Sequence, residues 1–218
     1  MIWAIKEGKK FKATPNDLAT CPCCNTEVLA KCGTIKIWHW SHKTLEDCDK
    51  WYEPESEWHI EWKNEFPENM QEVTIGKHRA DILTKEGEVI ELQNSSISVD
   101  EIKSREEFYD NMSWLLNGYS LARGLNLRNK GNFYSFRWKH PAKSWWYAKK
   151  KIYIHLKGLL SSSGNFIEER SEFFYDIFGL GSNPEDYIFE IVRIYSNVPC
   201  GGWGKLIKKE EFLSGKRD

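Results

Sequence analysis

No stretch of this sequence stays apolar for the ~18–20 residues that a membrane-spanning helix needs, so no such helix is expected. The opening residues, Met1-Ile2-Trp3-Ala4-Ile5-Lys6, lack the longer apolar core and the small-residue cleavage site of a secretory signal. A cytoplasmic location is therefore the expectation, with no membrane partner. There is no internal repeat and no long disordered tail. The strongest absence is of acid. From Asn111 through Ile167 there is no Asp or Glu, while the same stretch holds Arg123, Arg128, Lys130, Arg137, Lys139, Lys143, Lys149, Lys150, Lys151 and Lys157. The net charge of the chain is only -1, so the flanking segments are net acidic. A block this one-sided creates a local positive field within a nearly neutral protein.

A length of 218 residues gives room for one ordinary domain and a small appendage. Aromatic residues are abundant, with eleven Trp, nine Tyr and eleven Phe, and they supply either buried rings or stacking faces. Cysteine is unevenly placed. Cys21, Cys23, Cys24, Cys32 and Cys48 share one short segment, and Cys200 stands alone. In a cytosolic chain such clustering points to metal before disulfides.

Residues 1–50 show little periodicity and many turn-formers, which reads as a loop-rich module in need of a staple. From Pro54 to Phe66 the pattern becomes helical, with Pro54 as the first helical residue and Trp58, Trp62 and Phe66 as an apolar stripe. Three strands are expected next, over Gln71–Ile75, 78–84 and 88–93. Ser98-Val99-Asp100-Glu101 opens a helix as a capping box, and a strand follows at Ser113-Trp114-Leu115-Leu116. Helix, three strands, helix, strand is the αβββαβ order of a restriction-endonuclease-like core. Further strands are expected over 133–138 and 152–156, a loop over 161–164, and a helix from Asn183 and Pro184 to about Tyr195. The expected division is a small zinc-ribbon-like module (1–50), an α/β (α+β) core with a basic aromatic extension (51–160), and a helical extension (161–218).

Cys21-Pro22-Cys23-Cys24 sets two thiols at the spacing of a metal-binding knuckle, and His39-Trp40-Ser41-His42 repeats that spacing, with Cys48 soon after. Tetrahedral zinc takes four such ligands, so Cys21, Cys24, His39, His42 and Cys48 are the candidates. Successive strand residues point to opposite faces. His39 and His42 both ligate only if the chain turns between them; otherwise Cys48 replaces one of them. A module of ~50 residues struggles to bury enough apolar surface without a staple, which also favours metal.

Glu55, His59 and Lys63 are spaced four and four, so on a helix they share one face. Alone, such a row also suits a solvated salt-bridge face. Asp81 and Glu91 change the balance. A three-residue loop, Lys85-Glu86-Gly87 with Gly at the left-handed position, pairs Asp81 with Glu91, and Gln93 shares that face. Facing carboxylates repel unless a cation lies between them. Magnesium or manganese, with oxygen ligands and retained water, satisfies them.

These residues resemble the CoiA-like competence-protein nuclease family, a branch of the PD-(D/E)xK superfamily. The matching motifs run in order: Cys21-Pro22-Cys23-Cys24, His39-Trp40-Ser41-His42, Glu55-Ser56 with His59 and Lys63, and Arg79-Ala80-Asp81. Then come Glu91-Leu92-Gln93 with Ser95, Ile97 and Ser98, and Glu101, Arg105 and Tyr109 leading into Trp114-Leu115-Leu116. The resemblance implies a nuclease fold with a zinc-binding N-terminus and activity on DNA. It implies that Asp81 and Glu91 hold the catalytic metal and that Glu55 is a further ligand or orients water. His59 and Lys63 would contact phosphate or water, and Gln93 stands where the superfamily has lysine. An amide does not accept a proton at neutral pH, which leaves the general base open. The row Glu101, Arg105, Tyr109 suits an ion pair beside a core tyrosine as well as it suits function.

The basic segment from Phe133 to Lys151 interleaves rings with Arg137, Lys139, Lys143, Lys149, Lys150 and Lys151. Cations meet phosphates, and rings stack on unpaired bases; equally, the tryptophans suit a core and the lysines a solvated surface. The leading reading is a metal-dependent nuclease with nucleic acid, DNA above all, as its partner. The rivals are a non-catalytic zinc-dependent nucleic-acid-binding module and an adaptor in recombination, competence or defence. Nothing in the sequence speaks to oligomeric state.

Overall fold

The computed structural model describes residues 1–43, 48–51, 53–122, 124–139, 143–156, 187–195 and 201–217. They fall into two compact units, Met1–Thr84 and Lys85–Asp218, each with its own core. No helix among the described residues is long and apolar enough to cross a membrane.

The first unit begins with an antiparallel sheet of five short strands where the sequence suggested loops: β1 (Trp3–Lys6), β2 (Lys9–Lys12), β3 (Leu18–Thr20), β4 (Glu27–Lys31) and β5 (His39–His42). Their order in the sheet is β2-β1-β3-β4-β5. Strands this short hide their alternation from a periodicity test, and turns mark them instead. Glu7 (φ 52°) and Gly8 (φ 76°) both take the left-handed conformation that a two-residue hairpin requires. The core beneath is small, formed by Met1, Ala4, Ala13, Ala19, Cys21, Val28 and Trp40.

Helix α1 follows as Glu57–Asn64, later than the sequence suggested. Pro54 is not its first residue; Ser56 is the N-cap. The Ser56 hydroxyl accepts from His59 N (3.4 Å), and His59 Nδ1 accepts from Ser56 N (3.2 Å). This is a capping box with histidine in the place usual for Glu or Gln, and it stops the helix short of Glu55. The unit closes with the antiparallel pair β6 (Gln71–Ile75) and β7 (His78–Leu83). In β7, Ala80 and Ile82 are buried while Arg79 and Asp81 share the opposite face.

The second unit carries seven strands in the order β10-β11-β14-β13-β12-β9-β8. These are β8 (Val89–Gln93), β9 (Met112–Asn117), β10 (Leu125–Asn129), β11 (Tyr134–Trp138), β12 (Lys151–Leu156), β13 (Tyr187–Ile194) and β14 (Gly201–Lys208). The pairs β8/β9 and β9/β12 are parallel, and the other pairs are antiparallel. Helix α2 (Val99–Tyr109) joins β8 to β9, capped by Ser98 Oγ accepting from Glu101 N at 3.1 Å. Both β8 and β9 are buried on both faces, as strands inside a parallel sheet read. The sequence order α1, β6, β7, β8, α2, β9 is that of the restriction-endonuclease-like core. A short helix, α3 (Gly118–Leu121), and a terminal one, α4 (Lys209–Arg217), complete the elements.

One expectation fails. Tyr187–Ile194 is not helical; it is a strand paired on both sides, with Ile188 and Phe189 fully buried. Tyr-Ile-Phe-Glu-Ile-Val-Arg-Ile is rich in β-branched and aromatic residues, and its strand propensity outweighs the cap signal at Asn183-Pro184. That cap, the loop over 161–164 and Cys200 lie outside the described residues, as do Arg123 and Lys157.

The basic segment is tied down by one buried acid. Glu106 of α2 accepts from Trp114 Nε1 (3.0 Å), from Lys149 N (2.9 Å) and from Lys150 N (3.1 Å). Trp145 packs edge-on against Trp114 with ring centroids 5.2 Å apart. Replacing Glu106 with Ala strands three buried or half-buried donors, each costing ~1–3 kcal/mol. The expected loss is about 3 kcal/mol or more in urea unfolding, with faster amide exchange at Lys149 and Lys150.

Candidate metal centre and carboxylate cluster

Two clusters of ionisable groups form in the first unit. The first is the thiol cluster. Cys21 ends the third strand region, and the chain turns back at once: Asn25 (φ 58°) donates its N–H to Cys21 O, and Cys21 N donates to Thr26 O. This turn presents Cys21 and Cys24 to β5. The ligand atoms of Cys21, Cys24, His42 and Cys48 all lie within 4.8 Å of one another. Cys21 and Cys48 sulfurs are 3.8 Å apart, and Cys24 Sγ is 3.2 Å from His42 Nε2. A tetrahedron with metal–sulfur legs of ~2.3 Å has edges of about 3.8 Å, so the donor set fits a tetrahedral ion. Burial and the nearby Arg79 lower the His42 pKa, which keeps the imidazole in the neutral form that ligates. Burial pushes the Cys48 thiol up, as expected of crowded thiols whose charge a metal would neutralise.

His39 is not in this group; its Nδ1 lies 2.7 Å from Ile37 O. Cys23 is turned away as well, donating from Sγ to Lys77 O. Of the sequence candidates, the cluster unites Cys21, Cys24, His42 and Cys48.

The second cluster surrounds Lys63, whose side chain is 2% exposed. Its ammonium meets Glu55 Oε1 at 2.8 Å, Glu72 Oε1 at 3.0 Å and Asp81 Oδ1 at 3.1 Å. Burial disfavours its charge, but the three carboxylates outweigh burial and raise its pKa well above the ordinary lysine value. Glu55 shows the opposite balance: burial dominates, and its pKa is raised in spite of Lys63. Its second oxygen, Oε2, is buried and has no hydrogen-bond partner among the described residues.

Glu72 was not legible in the sequence. It follows buried Gln71 directly, so it breaks the strand alternation, and its φ of 46° turns its carboxylate inward. A non-glycine residue holds that conformation only where its surroundings over-determine it. Here they do. The Glu72 oxygens accept from Ile2 N (2.9 and 3.1 Å) and Trp3 N (3.1 Å) and pair with Lys63. Burial alone would raise its pKa, but Lys63, Arg79 and the N-terminal ammonium hold it well below the ordinary range.

His59 is the N3 capping residue of α1. Its Nδ1 faces Ser56, and its Nε2 lies 3.7 Å from Glu53. Burial works against its charged form, but Glu53, Asp81 and Glu55 outweigh it and raise the pKa.

In the second unit, Glu91 and Gln93 lie in the fully buried strand β8. Arg105 Nη1 meets Glu91 Oε2 at 2.6 Å, and Arg105 Nη2 meets Glu101 Oε1 at 2.5 Å. The row Glu101, Arg105, Tyr109 thus contains the ion pair and the buried tyrosine anticipated for it, and Arg105 also orients Glu91. Gln93 donates from Nε2 to Ser95 O at 3.1 Å.

Residues 6–50 match the N-terminal domain of competence protein CoiA, and residues 56–166 match the nuclease-like domain of the same protein. The chain belongs to the CoiA competence-protein family. Neither a curated protein nor a solved structure gives a significant match. The two matched regions of this CoiA-family chain meet near the thiol cluster's last ligand, Cys48, and resume at the cap of α1.

In the basic segment of the nuclease-like domain, Trp138 and Trp145 are core residues, buried to 2% and 1% exposure. They are not stacking faces. Phe133 and Tyr147 are the exposed rings among those described there. Arg137, Lys139, Lys143, Lys149 and Lys151 are exposed, and Lys150 pairs with Asp110 at 3.2 Å.

The Glu72 pairing has a measurable pH signature. A carboxyl with a depressed folded pKa contributes stability in full above its unfolded value, here 4.5, and loses it as pH falls through the folded value. Urea unfolding of the intact chain should therefore weaken steeply below pH 4.5. Glu72→Gln should be destabilised by about 3 kcal/mol at neutral pH, because Lys63 loses a partner. The variant's stability should also fall less than the wild type's between pH 4.5 and 3.

Proposed function

We propose that this chain is a nuclease that hydrolyses phosphodiester bonds of DNA with a divalent ion, and that zinc is its structural metal. The observation that carries the reading is the buried carboxylate cluster around Lys63, in a chain whose family has a nuclease-like domain. A buried ammonium flanked by Asp81 and Glu55 is costly unless the site needs both signs of charge at one point. Phosphodiester hydrolysis needs both, a cation for the phosphate and carboxylates for a metal and its water.

Asp81 and Glu91 would hold magnesium or manganese, following the register expected of a three-residue turn over 85–87. Gly87, at φ 76°, supports that turn. The buried Glu55 Oε2 without a partner and the all-oxygen donor set fit a hard cation or its coordinated water. When bound, such an ion activates water and stabilises charge on the phosphodiester. Glu55 orients that water, and Lys63 gives the phosphate a fixed positive charge. Arg105 holds Glu91 in place, and Gln93 donates hydrogen bonds where the superfamily has lysine. His59 sets the start of α1, and so the direction from which Lys63 arrives. Zinc is assigned to Cys21, Cys24, His42 and Cys48, since soft thiolates with one imidazole suit it. Free thiols suit a reducing compartment, and the cytoplasm is the proposed location.

Pure protein should cleave DNA with magnesium or manganese and not with chelator. Asp81→Asn and Glu91→Gln should keep the fold and lose about 100-fold or more in rate. Gln93→Lys should keep part of the activity. Wild-type cleavage rates in both carboxylate variants, or no cleavage of any DNA with any divalent ion, would sink the nuclease reading in favour of a binding module.

The exposed cations Arg137, Lys139, Lys143, Lys149 and Lys151, with Lys150, are the proposed partners of the DNA phosphates. Neutralising Lys149, Lys150 and Lys151 together should weaken DNA binding. It should also flatten the dependence of log K on log salt by up to ~0.7–0.9 for every phosphate that no longer meets a cation. An unchanged slope in fluorescence anisotropy titrations would move the DNA elsewhere.

A further inference from the structure

The two histidines of His39-Trp40-Ser41-His42 serve different centres. Strand β5 runs unbroken from His39 to His42, so these positions face opposite sides. Trp40 and His42 face inward, Trp40 to the core and His42 to the thiols. His39 takes the other side and lines a cavity of about 300 Å³ with Lys36, Ser56 and Glu55.

The protonation of His39 follows from its one hydrogen bond. Nδ1 lies 2.7 Å from Ile37 O, and a carbonyl only accepts, so Nδ1 carries the proton and Nε2 is the acceptor. A backbone carbonyl that fixes the tautomer in this way is how proteins prepare an imidazole to receive a proton or a metal. On the far wall is Glu55, 7% exposed, whose Oε2 is buried without a hydrogen-bond partner among the described residues. An acceptor imidazole and an unsatisfied carboxylate oxygen thus border one water-sized space, and both accept where water donates.

We propose that His39 is the proton acceptor of this cavity, taking a proton from the water that Glu55 holds for attack on the phosphodiester. The assignment rests on the nuclease reading and supplies the base that Gln93 does not. Nε2 takes one proton from water, and the water oxygen forms the new bond to phosphorus. The bond from phosphorus to the leaving oxygen breaks, its electron pair stays on that oxygen, and solvent protonates it. The proton on Nε2 then returns to solvent. Lys36 puts one ammonium at the same cavity, suited to a non-bridging phosphate oxygen.

His39→Asn is the informative change, because the Asn amide keeps a donor for Ile37 O and removes the Nε2 acceptor. His39→Gln instead leaves a group that orients water without taking its proton. Both variants should retain the wild-type metal content and melting temperature, and both should lose about 100-fold or more in cleavage rate. His42→Asn should lose the metal. Loss of metal in His39→Asn would make His39 a ligand and overturn the proposal, as would wild-type cleavage in both His39 variants. A second readout does not use activity. In nitrogen-15 spectra the His39 ring should show the Nδ1–H tautomer, and added manganese should broaden its signals in the wild type but much less in Glu55→Gln. Broadening from a wild type that cleaves nothing would sink the nuclease reading and keep His39 as the acceptor at a metal-water site. Absence of both broadening and cleavage would overturn the proposal.

Discussion

The first unit depends on one buried ammonium. Lys63 comes from α1, Glu72 from β6, Asp81 from β7 and Glu55 from the segment before the cap, and they converge on Nζ. Desolvating four charges is expensive, and only tight pairing returns the cost. Any shift of α1 against the β6–β7 hairpin would leave an uncompensated charge in the interior. The same network reaches the N-terminal sheet, because the Glu72 oxygens also accept the amides of Ile2 and Trp3. The position of β1 and the charge state of the Lys63 cluster are therefore linked through one carboxylate.

That linkage gives the metal-binding module a role beyond its own stability. Its core of seven buried residues includes three alanines, which is little apolar surface, and four metal bonds would supply what burial does not. The metal would fix β5, since His42 ends that strand, and β5 carries His39 into the cavity beside Glu55. A ligand and a proton acceptor on opposite faces of one strand need no turn between them. The pair spacing that resembles a second knuckle has this different physical basis.

Much of this was legible beforehand, for reasons that separate cleanly. The knuckle at Cys21 and Cys24 could be read because metal geometry dictates its spacing, and the helix at Ser98 because its cap chemistry is local. Lys63 was found by helical spacing from His59, but Glu55 met it for another reason: the Ser56–His59 capping box ends the helix at Glu57, and the preceding segment folds Glu55 back. Glu72 stayed hidden because its role depends on a positive φ and on amides some seventy residues earlier. The strand at Tyr187–Ile194 was misread because a local Asn-Pro cap signal was weighed above the β-branched run behind it.

The basic segment shows how a core can set a surface charge. Trp138 and Trp145 are sequestered, and Glu106 clamps the backbone at Lys149 and Lys150. The rings that suggested base stacking instead fix where the chain emerges, so the lysine side chains project from a rigid base. Glu106 is an acid held against those backbone amides, and its charge is spent on three N–H donors inside the protein. In the described part of the acid-free stretch, from Asn111 to Leu156, only Asp110, just before it, is paired with one of the cations. A positive field of this kind is strongest where its charges are held together at least entropic cost. Burying tryptophan and one glutamate beneath them does that more effectively than adding further lysines would.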